Sequence, residues 1–301
     1  MAEMKPKPKQ PEPDNITRAL DGLAADNLEA VRTAVESEIA AILVKHGLQS
    51  YRFLILHDEV DSITSYHTDK LYAEATLDGE QKDVLLLVNS SGGRIEPAYL
   101  ISKALKRLAK NKFVAVVPRR AKSAATLIAL GADEIHMGMM SELGPIDPQI
   151  NGLPALSLGN ALDVIAELVC KFPDSAALLG TYISENVPVR VLGYYQRVNE
   201  SAVQYAERLL NGKNLGGLAT PQDTANRLVN HYKDHSFVID FEEAVSLLGE
   251  MVREKTPEYF AADEIFKFLD VVGYFCRRNK KKIWVVGGGK GFYWADLRDD
   301  G

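Results

Sequence analysis

Residues 84–88 read Val-Leu-Leu-Leu-Val, an unbroken apolar run that starts after Asp83 and stops at Asn89-Ser90-Ser91. A short run of this kind, ended by turn residues, predicts a strand covered on both faces of its sheet. Past Gly92-Gly93 the period changes. Ile95, Ala98, Tyr99, Ile101, Ala104, Leu105 and Leu108 recur at helical spacing over 94–108. A second strand follows at 112–117 and is closed by Pro118. Strand, helix and strand make a βαβ unit, whose crossover is right-handed in nearly all known cases. After a turn through Arg119-Arg120-Ala121-Lys122, small residues over 123–130 predict a helix ended by Gly131-Ala132-Asp133. Residues 134–137 then read as a short strand.

Outside this stretch the pattern is mostly helical. Ile16, Leu20, Leu23, Leu28, Val31, Val35, Ile39 and Ile42 keep helical spacing through 16–45. Residues 51–57 read as a first sheet strand, and 68–75 as a helix before an Asp78-Gly79 turn. Later helices are expected at about 158–171, 174–186, 190–212, 220–230, 240–252 and 257–278, with a late strand at 282–286. Residues 1–14, rich in Lys-Pro pairs, are expected to be a disordered tail. No internal repeat is visible.

Composition narrows the function classes. With 46% hydrophobic and 25% charged residues in 301, the chain can bury a substantial core. A net charge of −6, without a basic patch interleaved with aromatics, argues against nucleic acid as a partner. The two cysteines, Cys170 and Cys276, are too few for a disulfide framework. Both sit in apolar helical contexts and are expected as buried or half-buried free thiols in a reducing compartment. No apolar run approaches membrane-spanning length, and 1–14 lack the apolar core of a signal peptide. The expectation is a soluble, cytoplasmic protein.

The chemistry concentrates in two loops. Gly92 and Gly93 permit backbone conformations and close approaches that a side chain would block, so their N–H groups can face an oxyanion. Ser123 opens a helix whose first N–H groups are free, which suits a nucleophile facing developing negative charge. Taken singly, a helix-opening serine is an ordinary N-cap and Ser-Gly-Gly an ordinary turn. Their separation by one βα unit, which brings both loops to one sheet edge, makes the pair far more specific.

These residues resemble a known superfamily. Asn89-Ser90-Ser91-Gly92-Gly93 resembles the Asn-Ser-Pro-Gly-Gly loop of the Clp protease proteolytic subunit, with Ser91 in place of the proline. Ala121-Lys122-Ser123-Ala124-Ala125, followed by Ala129-Leu130-Gly131-Ala132-Asp133-Glu134-Ile135, resembles that family's nucleophile helix and its equivalent in signal peptide peptidase A. Leu143-Gly144-Pro145-Ile146-Asp147-Pro148-Gln149 is similar to a run in the serine dehydrogenase proteinase family of the same superfamily. The likeness covers 84–151 and a segment near His235. It implies an α/β spiral of βαβ units of the Clp/crotonase type with helical extensions. On that basis 15–48 are an N-terminal helical segment, 49–253 the catalytic domain and 254–301 a C-terminal helical extension and tail. It also implies Ser123 as nucleophile and an oxyanion hole from the N–H of Gly92 or Gly93 with that of Ala124.

The base departs from the family pattern. Where the Clp subunit places a histidine, this chain has Ile146-Asp147; where its aspartate comes later, this chain has His235 within Asp234-His235-Ser236-Phe237. The two partner types are exchanged, giving a triad Ser123–His235–Asp147, which chemistry permits because triads are defined by geometry. The rival is Lys171, at the distance at which signal peptide peptidase A places its lysine base. Apolar neighbours could desolvate it as a neutral amine base requires, or it is an ordinary helix-end lysine. Lys122 is excluded as a base because adjacent side chains diverge in any regular geometry.

The implied function is a serine endopeptidase acting on peptide or protein substrates, without a cofactor, as a homo-oligomer built through its helical extensions. No docking feature for an ATP-driven unfoldase is recognisable. A crotonase-like acyl-thioester enzyme and a non-catalytic binding or assembly member of the fold are the alternatives. Other motifs are set aside. Gly287-Gly288-Gly289-Lys290-Gly291 lacks the P-loop spacing and reads as a flexible turn. His231 and His235 lack a third metal ligand. His57-Asp58-Glu59 with Asp61 and His67 reads as a polar loop that could border the cleft, and His136 as a satisfied core or edge histidine. The basic run 119–122 reads as a solvated loop or a binder of substrate carboxylates.

Overall fold

The structure is a computed structural model and describes residues 13–58, 62–77, 79–150, 153–155, 157–186, 189–215 and 220–297. Its centre is β1 (Tyr51–Asp58), β2 (Asp83–Ser90) and β3 (Phe113–Val117), with the short β4 (Arg120–Ala121) leading to β5 (Glu134–Met137). β1, β2, β3 and β5 run parallel, side by side. The crossovers are the helices α3 (Ser65–Thr76), α4 (Ile95–Leu108) and α5 (Ala124–Leu130). The α/β class and the succession of βαβ units are those expected from the pattern. Residues 134–137 form the predicted strand, and 94–108 the predicted helix less its first residue.

The continuous apolar runs follow from two cores, one on each face of the sheet. Leu54, Leu56, Leu86, Val88, Ala115 and Val117 point into one core, shared with α3, α4 and α5. The alternate residues Ile55, Leu85, Leu87, Val114 and Val116 point into the other. That second core is covered by α1 (Asn15–Ala24), α2 (Leu28–Lys45) and α11 (Pro257–Arg278), whose Ile265, Leu269 and Val272 are buried there. A strand with apolar cover on both sides has no polar face, hence no alternation in the sequence.

Several boundaries differ from the periodic reading. The stretch 16–45 breaks into α1 and α2 where Asp26 takes φ +50° and Asn27 caps α2 by accepting from Ala30 N at 3.1 Å. Helix 240–252 stops early as α10 (Phe241–Leu248), because Gly249 turns left-handed at φ +60°. The chain then adds β9 (Val252–Arg253) beside β5. Helix 220–230 is α9 (Pro221–Asn226) running into a π-type turn over Arg227–His231. The glycine run 287–291 forms the tight connection between β10 (Lys281–Gly287) and an unforeseen β11 (Phe292–Asp296), paired antiparallel.

Three more two-residue strands were not foreseen at the site end. β6 (Glu142–Leu143) pairs with β4, and β7 (Gln149–Ile150) forms a hairpin with β8 (Leu153–Pro154). Beyond them come three helices inside the expected 49–253 domain, α6 (Ser157–Lys171), α7 (Ala176–Asn186) and α8 (Val189–Leu210), of which α8 buries Ala202, Ala206 and Leu210 in the first core. α7 has no buried residue. Val164, Leu168, Phe172, Leu178 and Tyr182 are exposed there. Cys276 is buried as expected, but Cys170, on α6, is exposed rather than half-buried. No helix among the described residues is long and apolar enough to cross a membrane. Residues 1–12, Glu59, Asp61 and Asp78 lie outside the described residues.

Candidate active site

The two loops singled out in the sequence meet at one end of the sheet. β2 continues past β3 to pair Ser90 with Ala121 of β4, and Lys122 N donates to Ser90 O at 3.0 Å. This short pairing lays the glycine loop against the start of α5. Gly92 has φ +106°, and a Cβ there would fall 2.8 Å from Ser123 Cβ and 3.1 Å from Ala124 N. Gly93 has φ +151° and lies against Ile63, whose backbone accepts from Arg94 N and donates to Gly92 O, both at 2.9 Å. Only glycine meets both the conformation and the contact.

The glycine N–H groups are not equivalent. Gly92 N donates to Ser90 Oγ at 3.2 Å, whereas among the described residues nothing accepts from Gly93 N or Ala124 N. Those two donors remain for a ligand.

Ser123 occupies the N-cap position of α5, but its hydroxyl caps nothing. Its backbone sits at φ +52°, ψ −120°, a conformation that costs a non-glycine residue about 1–3 kcal/mol and clusters at functional sites. Thr126 holds the turn, its Oγ1 donating to Ala121 O at 2.6 Å and accepting from Gly144 N at 3.0 Å. A sharp strand-to-helix turn of this kind presents the hydroxyl outward instead of spending it on the helix. The residue is half-buried.

His235 and Asp147 are joined. His235 Nδ1 lies 2.8 Å from Asp147 Oδ1, and the other carboxylate oxygen accepts from Gln149 Nε2 at 2.7 Å. The Asp147 side chain is 10% exposed and that of His235 32%, so a fixed carboxylate backs an imidazole that reaches solvent. A carboxylate at Nδ1 leaves Nε2 as the free acceptor of the ring. Two backbone contacts bring these distant segments together. Leu143 and Ile239 exchange both N–H···O bonds, at 2.9 and 3.1 Å, and Ile146 N donates to Leu228 O, in the π-type turn, at 2.9 Å. Next to His235, Asp234 is held below the usual carboxylate range by the side-chain and backbone donors of Ser236.

Ser91, Gly92, Gly93, Ser123, Gln149 and His235 line a single cleft of about 630 Å³. Ser123 and His235 face it together but share no hydrogen bond among the described residues, a common state of unliganded sites. Lys171 ends α6 exposed, its ammonium 5.7 Å above the Phe172 ring. It is not among the described residues lining the cleft, and the burial that a neutral amine base requires is absent. His231 is exposed, apart from the His235–Asp147 pair.

Two groups were not foreseen. Gln149 as partner of Asp147 could have been suspected from its place two residues on in the same run. Lys122, read as part of a solvated or substrate-binding loop, has its side chain only 14% exposed. The other histidines are structural in their surroundings. His67 Nδ1 accepts from Thr64 N at 3.1 Å, so its Nε2–H faces Asp58 Oδ2 at 3.2 Å, both side chains being buried. His136 is buried between Glu134, at 3.1 Å, and Thr256, at 2.8 Å, the satisfied histidine expected from the sequence.

Comparison with known proteins agrees with the resemblance drawn from the loops. Residues 40–186 match the family described as ClpP-like SDH-type serine proteinases, a span that contains Gly92, Gly93, Ser123 and Asp147 and ends before His235. Two uncharacterized proteins of Methanocaldococcus jannaschii are similar. MJ0137 is 32% identical over 117 residues, 39% of this chain and 37% of that protein. MJ1495 is 32% identical over 112 residues, 37% of this chain and 35% of that protein. The chain thus matches little more than a third of the length of these relatives. Among solved structures, a serine-to-alanine variant of a 1510-N membrane-bound stomatin-specific protease aligns with TM-score 0.42 and 17% identity, over 73% of this chain and 83% of that one. A lysine-to-alanine variant of the same protease with a substrate peptide gives TM-score 0.42 and 16% identity, over 80% and 88%.

Proposed function

We propose that this chain, whose residues 40–186 match the ClpP-like SDH-type serine proteinases, is a serine peptidase working through a Ser123–His235–Asp147 triad. Ser123 Oγ attacks the peptide carbonyl carbon while His235 Nε2 takes the hydroxyl proton. The carbonyl oxygen becomes an oxyanion held by the N–H groups of Gly93 and Ala124. Collapse of the intermediate breaks the C–N bond, and His235 returns the proton to the leaving amine. Water, activated by the same imidazole, then hydrolyses the acyl-serine. Asp147 keeps the imidazole in the tautomer with Nε2 free and stabilises the imidazolium. Losing one oxyanion donor of this kind costs about 10²–10³ in turnover.

The observation that carries the reading is the His235–Asp147 hydrogen bond of 2.8 Å, whose imidazole faces the same cleft as Ser123. It supports the exchanged order of partners over a Ser123–Lys171 dyad, because Lys171 is exposed at the end of α6. The exposed apolar residues of α6 and α7 support assembly of several copies through these helices.

Incubation with an unfolded protein substrate, followed by mass spectrometry of the products, tests the reading. Wild type should generate new N-termini and Ser123→Ala none. Turnover of an acyl-thioester with no peptide cleavage would replace the peptidase by a crotonase-like enzyme.

A further inference from the structure

Lys122 immediately precedes Ser123, and its ammonium donates to Leu143 O at 3.2 Å and Phe237 O at 3.0 Å and forms an ion pair with Glu142 Oε2 at 3.0 Å. Two of the three N–H donors of the ammonium are thus bonded to backbone carbonyls, and the Glu142 carboxylate pairs with its charge. The acceptors lie on two segments far apart in sequence. Glu142 and Leu143 are just upstream of Asp147, and Phe237 is just downstream of His235. Gly144 makes room for the stem, since a Cβ there would stand 2.5 Å from Lys122 Cδ. The same two segments are also joined through the Leu143–Ile239 backbone pair.

We propose that Lys122 is a positioning residue that clamps the Asp147 and His235 segments onto the nucleophile turn. It thereby sets His235 Nε2 against Ser123 Oγ. This rests on the triad reading above. An exchanged triad needs such a device, because its base arrives on a segment with no sheet strand of its own next to Ser123. Among the described residues the Leu143–Ile239 bridge and the Ile146–Leu228 bond hold that segment on either side of His235, each several residues from the imidazole. The Lys122–Phe237 bond supplies a further point of attachment, closer in sequence to the imidazole than either. Glu142 pairs through its other oxygen with Arg119 at 3.3 Å, so its carboxylate is itself held in place.

The test is the second-order rate at which a fluorophosphonate labels Ser123 in the full chain. Wild type, Lys122→Met, Lys122→Arg, His235→Ala and the Lys122→Met/His235→Ala double variant are compared, with melting temperatures beside them. Displacing a catalytic group by about 1 Å costs about 10²-fold, the loss expected for Lys122→Met. In the His235→Ala background the same substitution should cost less than about threefold, because both changes act through one group. Lys122→Arg keeps the charge but not three diverging donors, and should lose about 10-fold with the same non-additivity. It carries the test if Lys122→Met melts below the assay temperature. An equal loss in both backgrounds, or a wild-type rate in both Lys122 variants, would overturn the clamp. Absence of Ser123 labelling in wild type would overturn the triad reading and the clamp with it.

Discussion

Replacing Gly92 by alanine isolates the contact between the glycine loop and the nucleophile turn. The added Cβ would stand 2.7 Å from Lys122 O and 2.8 Å from Ser123 Cβ. Carbon atoms in contact sit at about 3.5–4.0 Å, so Ser123 must retreat by roughly 0.7 Å. Both close neighbours are backbone or a Cβ, with no flexible end to swing away. A shift approaching 1 Å at reacting atoms costs about 10²-fold in rate. The left-handed backbone adds about 1–2 kcal/mol of instability, and overpacking about 1–3 kcal/mol more. Gly47 supplies the control. It has φ +70° and no atom within 4 Å of the point where a Cβ would stand, so Gly47→Ala meets only the backbone penalty. Fluorophosphonate labelling and thermal melts of both variants separate the effects. Both should melt earlier than wild type, but only Gly92→Ala should label about 10²-fold more slowly. A folded Gly92→Ala labelling within about threefold of wild type would refute the reasoning, since Ser123 would then not have moved.

Asp147→Asn should slow labelling by about 10⁴-fold while the protein stays folded, because an amide presents the imidazole with the wrong tautomer; single-turnover labelling measures it. Burial holds the His136 pKa below its ordinary value, against the pull of Glu134 and Glu258. The unfolded chain therefore binds this proton near pH 6.5 and the folded chain only at lower pH. The stability from burying neutral His136 is present above that range and is lost as pH falls through the folded pKa. His136→Gln should therefore flatten the drop in melting temperature between about pH 7 and 5. Burial pushes the Cys276 thiol up to about 11. Iodoacetamide on the folded protein should therefore modify exposed Cys170 and spare Cys276, read by peptide mass mapping.

The centre of the fold is legible because local pattern and tertiary role coincide there. Strands buried on both faces need only an apolar run, which 84–88 and 113–117 supply. The two-residue strands β4, β6 and β9 carry no periodicity; β4 and β9 form against the longer β2 and β5, and β6 against β4. Helix ends escape the pattern where the backbone turns left-handed, at Asp26 and Gly249, which apolar spacing does not register. At the site, the two loops are readable from glycine and serine placement, but Ser123 as an N-cap is half the story. The residue stands at the cap position, and its strained backbone turns the hydroxyl away from capping. The approach of His235 to Asp147 spans a sequence separation of 88 and depends on the Leu143–Ile239 bridge, so residue spacing alone carries no sign of it. Only alignment with a family whose partners are exchanged points to it. Adjacency to Ser123 rules Lys122 out as a base but says nothing of its contacts, which lie with segments that no local reading places beside it.

The claim that Ser123 is a nucleophile served by His235 is tested most directly by mapping a fluorophosphonate adduct by mass spectrometry. Wild type, Ser123→Ala, His235→Ala and Lys171→Ala should be run side by side. The account predicts an adduct on Ser123 that vanishes in Ser123→Ala, collapses in His235→Ala and survives in Lys171→Ala. An adduct that survives in His235→Ala and is lost in Lys171→Ala would contradict it and move the chemistry to a serine–lysine dyad.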